Sequence, residues 1–450
     1  MDRGKNRISR RAFLQGTAAA AAFTIVPRHV LAQAGTTAPS DKLNIASIGV
    51  SGMGGGDVHS VAEGNNIVAL CDVDYEHGAG TFKDFPNARK FKDYRVMFDT
   101  LDKEIDAVTV STPDHTHAVA AMAAIKRGKH VHCQKPLAHS IYDIRQLMKA
   151  AKEHKVITQL GNQGHSFDTI RMFCEWIWDG AIGPVKEIHA FCESNYSRIR
   201  QLGQREDKHK IPGTLDWNLW VGPAPMRAYN PMYLPGSWRG WMPFGSGTIG
   251  DWVCHVVDPV FWALDLGAPA TVINEAQGYD PKEHADTFPN GSRVTYEFTA
   301  KGNRPAVKMV WFDGTEKPPR PQELGEGRKM PGTGAVVYGE KGVILYGSHG
   351  AGEVRIIPEA KMKEYKRPEA KIPRVPGGHY QDWLRAIRAN KPAGSNFDYG
   401  GPLTEIAQLG VIATKMLGQK LQWDGPNMRF TNSEEANKHL NPPYREGWSL

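Results

Sequence analysis

The stretch Leu43–Gly54, LNIASIGVSGMG, decides the fold. A short β-branched run stops at Gly49, and Gly49, Gly52 and Gly54 then lead into a stretch with helical spacing. This is the strand, turn and helix setting that a dinucleotide-binding turn requires. Such a turn brings backbone N–H groups up to a pyrophosphate, and the helix N-terminus favours its charge. Ser51 stands where GxGxxG has its middle glycine, and Gly52 beside it supplies room. Gly49, Ser51, Gly52 and Met53 are therefore the expected phosphate-side contacts. Asp72 closes the next apolar run, NIVALCDVD, at the distance where a carboxylate accepts hydrogen bonds from ribose hydroxyls and repels a 2′-phosphate. The expected cofactor is NAD in preference to NADP, with Asp74 a solvated neighbour.

Outward from this turn, short β-branched runs alternate with helical ones, which predicts a parallel sheet with crossover helices. DAVTVSTP, HVHCQKP and VITQLGNQ are the third to fifth strands, and a helix over 116–127 is closed by Gly128. Beyond a helix over 167–180 the character changes. VKEIHAFCESN, TVINEAQGY, SRVTYEFTA, AVKMVWFDG, GAVVYGEKGVILYG and EVRIIP read as strands joined so that neighbours pair antiparallel. The expected fold is α/β, with an N-terminal Rossmann dinucleotide-binding domain over 42–165. An α+β domain with a large, mostly antiparallel open sheet follows over 166–375, and helices over 376–450 pack at the junction. The segment 317–334, rich in Pro and Gly, reads as a surface loop.

The amino terminus carries SRRAFL over Ser9–Leu14, then an apolar run to Val26 and small residues at Ala32 and Ala34. This pattern predicts a cleavable twin-arginine leader over 1–34, too short to span a bilayer, and hence a periplasmic or otherwise exported protein that meets the Tat machinery. The leader holds six basic residues against Asp2, so only +2 of the formal +7 belongs to the rest of the chain. That balance argues against nucleic acid or membrane partners. Five cysteines without a CxxC pair describe neither a disulfide framework nor a zinc site.

Three motifs then fall in order: TPDHTH at 112–117, CQKP at 133–136 and GDWVCHVVD at 250–258. With them the chain resembles the glucose-fructose oxidoreductase and inositol 2-dehydrogenase family, Gfo/Idh/MocA. Within it the chain is most similar to the exported bacterial group with GNQGH, LDWNLWVGPAP and WRGW segments. The resemblance implies that Lys135 reaches substrate and nicotinamide, and that Asp251 and His255 form the family's Asp and His pair. Their i, i+4 spacing puts both on one helical face, where the carboxylate can orient the imidazole. His255 is the expected general base and Lys135 the positioning electrophile. The family usually reads EKP, whereas Gln134 precedes Lys135 here. Losing that charge favours the protonated lysine less and leaves the base open between Lys135 and His255. His115 and His117 lack a third ligand at metal-binding spacing, so no metal is expected.

The resemblance further implies cofactor contacts from Ser111, Thr112, His115, His117, Gln134, Lys135, Gln163, Trp238 and Arg239. Substrate contacts are expected from Gln163, His165, Tyr196, Trp241, Asp251 and His255. Indoles crowd 217–262, a composition that suits the C–H faces of sugars, although most of these rings are expected in packed core. The leading reading is hydride transfer between a ring carbon of a sugar, polyol or glycoside and NAD. Outside the cytoplasm free NAD is scarce, which predicts a cofactor retained by the protein. One alternative is a hydrolase or lyase that oxidises, eliminates and returns the hydride; another is a sugar-binding protein without catalysis. A homo-oligomer is expected through the open sheet.

Overall fold

Six parallel strands, β1 (Asn44–Ile48), β2 (Asn66–Cys71), β3 (Arg89–Phe91), β4 (Ala107–Val110), β5 (His130–Cys133) and β6 (Thr158–Leu160), form a sheet of order β3-β2-β1-β4-β5-β6. The computed structural model describes residues 41–206 and 208–450, so the leader expected over 1–34 lies outside the described residues. The inner strands are buried on both faces, as continuous apolar strands under crossover helices must be. Edge strand β3 went unread in the sequence because RKF is three residues long with Arg89 and Lys90 exposed.

Register aligns the strand ends. Ile48 lies opposite Cys71 and Val110, Val110 opposite Cys133, and Cys133 opposite Leu160. The residues that follow, Gly49, Asp72, Ser111, Gln134 and Gly161, therefore stand in one row along the carboxyl edge. Helices α1 (Met53–Ala62), α2 (Asp114–Ile125) and α3 (Ile141–Glu153) supply crossovers between strands.

The second sheet has nine strands: β7 (Val185–Cys192), β8 (Thr271–Glu275), β9 (Gly291–Phe298), β10 (Val307–Gly314), β11 (Thr333–Gly339), β12 (Val343–Gly347), β13 (Gly352–Ile357), β14 (Leu421–Asp424) and β15 (Arg429–Phe430). Their order is β13-β12-β11-β7-β10-β9-β8-β14-β15. It is antiparallel except at its centre, where β7 runs parallel to β10. Those two strands are separated by the whole segment 193–306, so no hairpin dictates their direction. The outer face of this sheet is divided. Phe191, Val310, Phe312, Val336 and Leu345 are covered by Leu324 and Met330 of the segment 317–334, whereas Lys308 with Glu187 and Arg293 with Glu275 form ion pairs.

Three more helices bind the sheets together: α4 (Gly247–Val256), α5 (Gly378–Ala389) and α6 (Phe397–Lys415). Almost every residue of α6 is buried against α3, α4 and β8, while α5 lies against α1. One hydrophobic cluster runs from Ile48 and Val110 through Ile249 and Val253 to Trp311 and Tyr346, so the sheets share a core. Leu43–Leu450 accordingly forms one compact unit. All five cysteines are buried and unpaired. Among the described residues no helix is long and apolar enough to cross a membrane.

Candidate active site

The row of strand ends opens into a cleft of about 690 Å³. At Gly49 the backbone turns with φ 76°, and a Cβ there would come 2.7 Å from the Ser111 carbonyl carbon, so only glycine lets the two strand ends meet. Gly52 also has positive φ, but a Cβ there would meet nothing within 4 Å: it borders open cleft. Ser51, Gly52 and Met53 line the space, as do Asp72, Thr112, His117, Gln134 and Lys135. Asp72 accepts hydrogen bonds from the Val50 and Asp74 N–H groups, each 3.0 Å away. Burial pushes its carboxyl up, and those two donors pull it back. A glycine turn with open space at Gly52, next to an oriented buried carboxylate, fits a dinucleotide with free ribose hydroxyls. Asp74 also lines the cleft and is half-buried.

At the far end stands an ion cluster. Lys135 Nζ donates to Asp251 Oδ1 at 2.6 Å and to the Asp251 carbonyl at 2.9 Å. Tyr196 O–H donates to Asp251 Oδ2 at 2.8 Å, and Arg239 Nε lies 3.4 Å from Oδ1. Burial alone would raise the Asp251 carboxyl; the Lys135 and Arg239 charges, with hydrogen bonds from Lys135 and Tyr196, outweigh it and hold Asp251 well below the usual carboxylate range. Arg239 stacks on Trp238, 4.3 Å from the ring centroid, and both line the cleft. Here Asp251 supplies the negative charge facing Lys135 that Gln134 lacks.

The expected Asp251 and His255 pair does not form. Both residues belong to α4, but a carboxylate with an ammonium and a phenol in reach is turned to them, since charge-assisted hydrogen bonds outcompete one from a neutral imidazole. His255 is 5 % exposed, its Nδ1 has no hydrogen-bond partner among the described residues, and its ring lies 4.1 Å from that of His349. Burial, then the Lys135 charge and His349, push His255 well below its ordinary value against the pull of Asp251. His349 sits in the β12–β13 turn with φ 54°, and this turn presses on the end of the parallel sheet. A Cβ on Gly164 would come 2.4 Å from the Gly350 nitrogen, so the approach depends on glycine at 164.

Asp251, Tyr196 and His255 do not themselves line the cleft but lie behind Lys135 and Arg239, which do, and four other expected contacts also lie outside it. His115 is buried between Phe244 and Trp220, its ring nitrogens 3.2 and 3.0 Å from their carbonyl oxygens. Gln163 donates to the Tyr380 hydroxyl at 3.2 Å. His165 is 3 % exposed, stacked on Trp262 and bonded to Asp258. Trp241 is fully buried in an aromatic cluster with Trp217, Trp220, Tyr233 and Phe244, where burial of ring area outweighs presentation to a ligand. Ser111 does line the cleft, but its hydroxyl donates to Asp57 at 2.6 Å. His117 fixes the loop, its ring nitrogens 2.7 and 2.8 Å from the Pro136 and Thr112 carbonyl oxygens.

Two carboxyls escaped the sequence reading. Asp114 lines the cleft, and Ser246 N–H donates to it at 3.0 Å. Burial and then Asp251 raise it to about 7, against Arg239, Ser246 and Lys135. Asp57, on the buried face of α1, is fully enclosed, and only the helical spacing of Gly54, Asp57, Val58 and Val61 could have pointed inward.

Known proteins resemble the chain in both domains. Residues 43–162 match the model of an oxidoreductase family with an NAD-binding Rossmann fold, and 194–312 match the C-terminal α/β domain of the same family. The 1,5-anhydro-D-fructose reductase of Ensifer adhaerens is 25% identical over 237 residues, 52% of this chain and 59% of that protein. The 2,7-anhydro-N-acetylneuraminate hydratase of Mediterraneibacter gnavus is 30% identical over 148 residues, 32% of this chain and 38% of that one. The match thus spans under two thirds of these relatives' length. In structure, a Bordetella pertussis dehydrogenase crystallised with NADH and UDP-GlcNAcA superposes with a TM-score of 0.58 at 15% identity, covering 85% of this chain and 99% of the other. Both domain models, in chain order and on the two sheets described, make this chain a member of the Gfo/Idh/MocA oxidoreductase family.

Proposed function

We propose that this chain is an exported oxidoreductase that moves a hydride between a ring carbon of a sugar, polyol or glycoside and a retained nicotinamide dinucleotide. The observation that carries this reading is the Lys135 and Asp251 ion pair at one end of a cleft with a glycine turn, with the enclosed His255 imidazole one helical turn from Asp251. Bound NAD supplies the hydride acceptor. Lys135 holds the substrate oxygen, whose developing negative charge it offsets. His255, pushed down by burial, is neutral at pH 7 and accepts the hydroxyl proton. Asp251 fixes Lys135, and Tyr196 and Arg239 fix Asp251. The Asp72 carboxylate selects NAD over NADP by repelling a 2′-phosphate.

A leader over 1–34 supports export, and export supports retention of the cofactor, because nucleotide lost outside the cytoplasm is not replaced. Denaturing the purified protein should release about one nicotinamide dinucleotide per chain, and a glycoside should then reduce it without added NAD. An enzyme that needs fresh NAD for each turnover contradicts retention.

One observation favours a second reading, oxidation followed by elimination and hydride return. Asp114, raised to about 7 in the cleft, is a second carboxyl able to hold a proton for a leaving group. The hydratase relative is consistent with it. Product masses separate the two: elimination releases the aglycone with no net oxidation.

A further inference from the structure

Asp57 lies outside the row of strand ends, yet its carboxylate gathers donors from three elements. Gln134 Nε2 donates to it at 2.9 and 3.1 Å, Ser111 Oγ at 2.6 Å and Tyr380 O–H at 2.5 Å. A carboxylate only accepts, so the NH₂ end of the Gln134 amide must face Asp57. The carbonyl end is thereby fixed in the other direction, above Gly161, where a Cβ would come within 2.5 Å of Oε1. Gln134 lines the cleft immediately before Lys135. Tyr380 extends the network to Gln163, tying α5 to α1 behind the strand ends.

We propose that Asp57 is a positioning residue for the nicotinamide end of the cofactor: it locks the Gln134 amide so that position 134 presents a neutral oxygen acceptor to the bound nucleotide. The group that receives the Gln134 amide is carried on α1, and residues 57 and 134 form one exchangeable pair. The inference rests on the nucleotide-binding reading above.

The pair makes an asymmetric prediction. In Asp57→Asn one oxygen still accepts from Gln134 while the new NH₂ group opposes it, so the Gln134 amide loses its single orientation; NADH binding to the stripped protein should weaken about tenfold. In Gln134→Glu two carboxylates meet in a closed site; the protein should melt lower at neutral pH and recover in acid, when one carboxyl of the pair takes up a proton. In the double variant, Asp57→Asn with Gln134→Glu, the amide now on α1 donates to the carboxylate now at position 134 and the outward acceptor returns. Melting temperature and NADH affinity should then both move back toward the parent. The measurements are thermal melting against pH and fluorescence titration with NADH. A double variant no better than the singles overturns the proposal, as does rescue of melting with NADH affinity unchanged in all three, which makes the contact purely structural. A parent protein that binds no nicotinamide nucleotide overturns the functional reading instead, while the melting pattern still decides the pair.

Discussion

One turn of α4 separates two ionisable side chains that the fold treats in opposite ways. Asp251 is enclosed by Lys135, Tyr196 and Arg239 and stays charged. His255 has burial, a nearby lysine and a second imidazole around it, and stays neutral. The difference shows that spacing on a helix sets which residues share a face, while partners from other elements set what each can do. Lys135 comes from the end of the parallel sheet and His349 from a turn of the antiparallel sheet, so the contrast exists only where the two sheets meet.

The largest break in this contrast is Lys135→Met. It removes the cation proposed to offset oxygen charge and leaves Arg239, among the described residues, as the cation beside Asp251. Single-turnover reduction of the cofactor should slow about a thousandfold. Loss of one partner from a buried pair should also cost about 3 kcal/mol in urea unfolding. His255→Asn should slow the same step about a hundredfold or more while leaving stability within about 1 kcal/mol, because the Nδ1 atom has no partner to lose. If both variants lose stability equally, the settings of Asp251 and His255 are not different in kind.

Acid sharpens the contrast next. The histidine contribution to stability is complete above about pH 6.5, the unfolded value, and is lost as pH falls toward the depressed folded values. His132 is a clear case: fully buried, without a hydrogen-bond partner for either ring nitrogen among the described residues, and pushed down to about 4 by burial. Between those values the unfolded chain binds a proton that the folded chain refuses, at about 1.4 kcal/mol per pH unit. Melting temperature should fall over this window, and His132→Phe should flatten the fall. Asp251, held low, keeps its contribution through the same window. The smallest effect belongs to His349→Gln, which removes an imidazole that depresses His255. The acid limb of the pH–rate profile should move up by less than about one pH unit, with the plateau rate nearly unchanged.

The fold was readable because its signals are local. The apolar runs at β1, β2 and β4, and the glycines that follow β1, each carry their own period or turn chemistry. The weak strands β3, β14 and β15 escaped because they are short edge segments whose neighbours decide their pairing. The site was readable in part. Motif register brought Lys135 and Asp251 together across 116 residues. It could not show that Asp251 turns from His255 to Lys135, nor that His165 and Trp241 pack inward, since those outcomes depend on Tyr196, Asp258 and Met232 arriving from elsewhere. Asp57 carried only the weak signal of its helical spacing with Gly54, Val58 and Val61, against the rule that a carboxylate on a helix normally faces water.

The proposed function requires that the chain carry its own nicotinamide and that His255 take the substrate proton beside Lys135. Its most direct test mixes the purified protein with candidate glycosides, without added nucleotide, and follows the absorbance of reduced nicotinamide across pH. One rapid reduction per chain is expected, its rate falling as pH drops into the depressed range of His255, with that pH dependence abolished in His255→Asn. No reduction until free NAD is supplied, or an unchanged pH profile in His255→Asn, would contradict it.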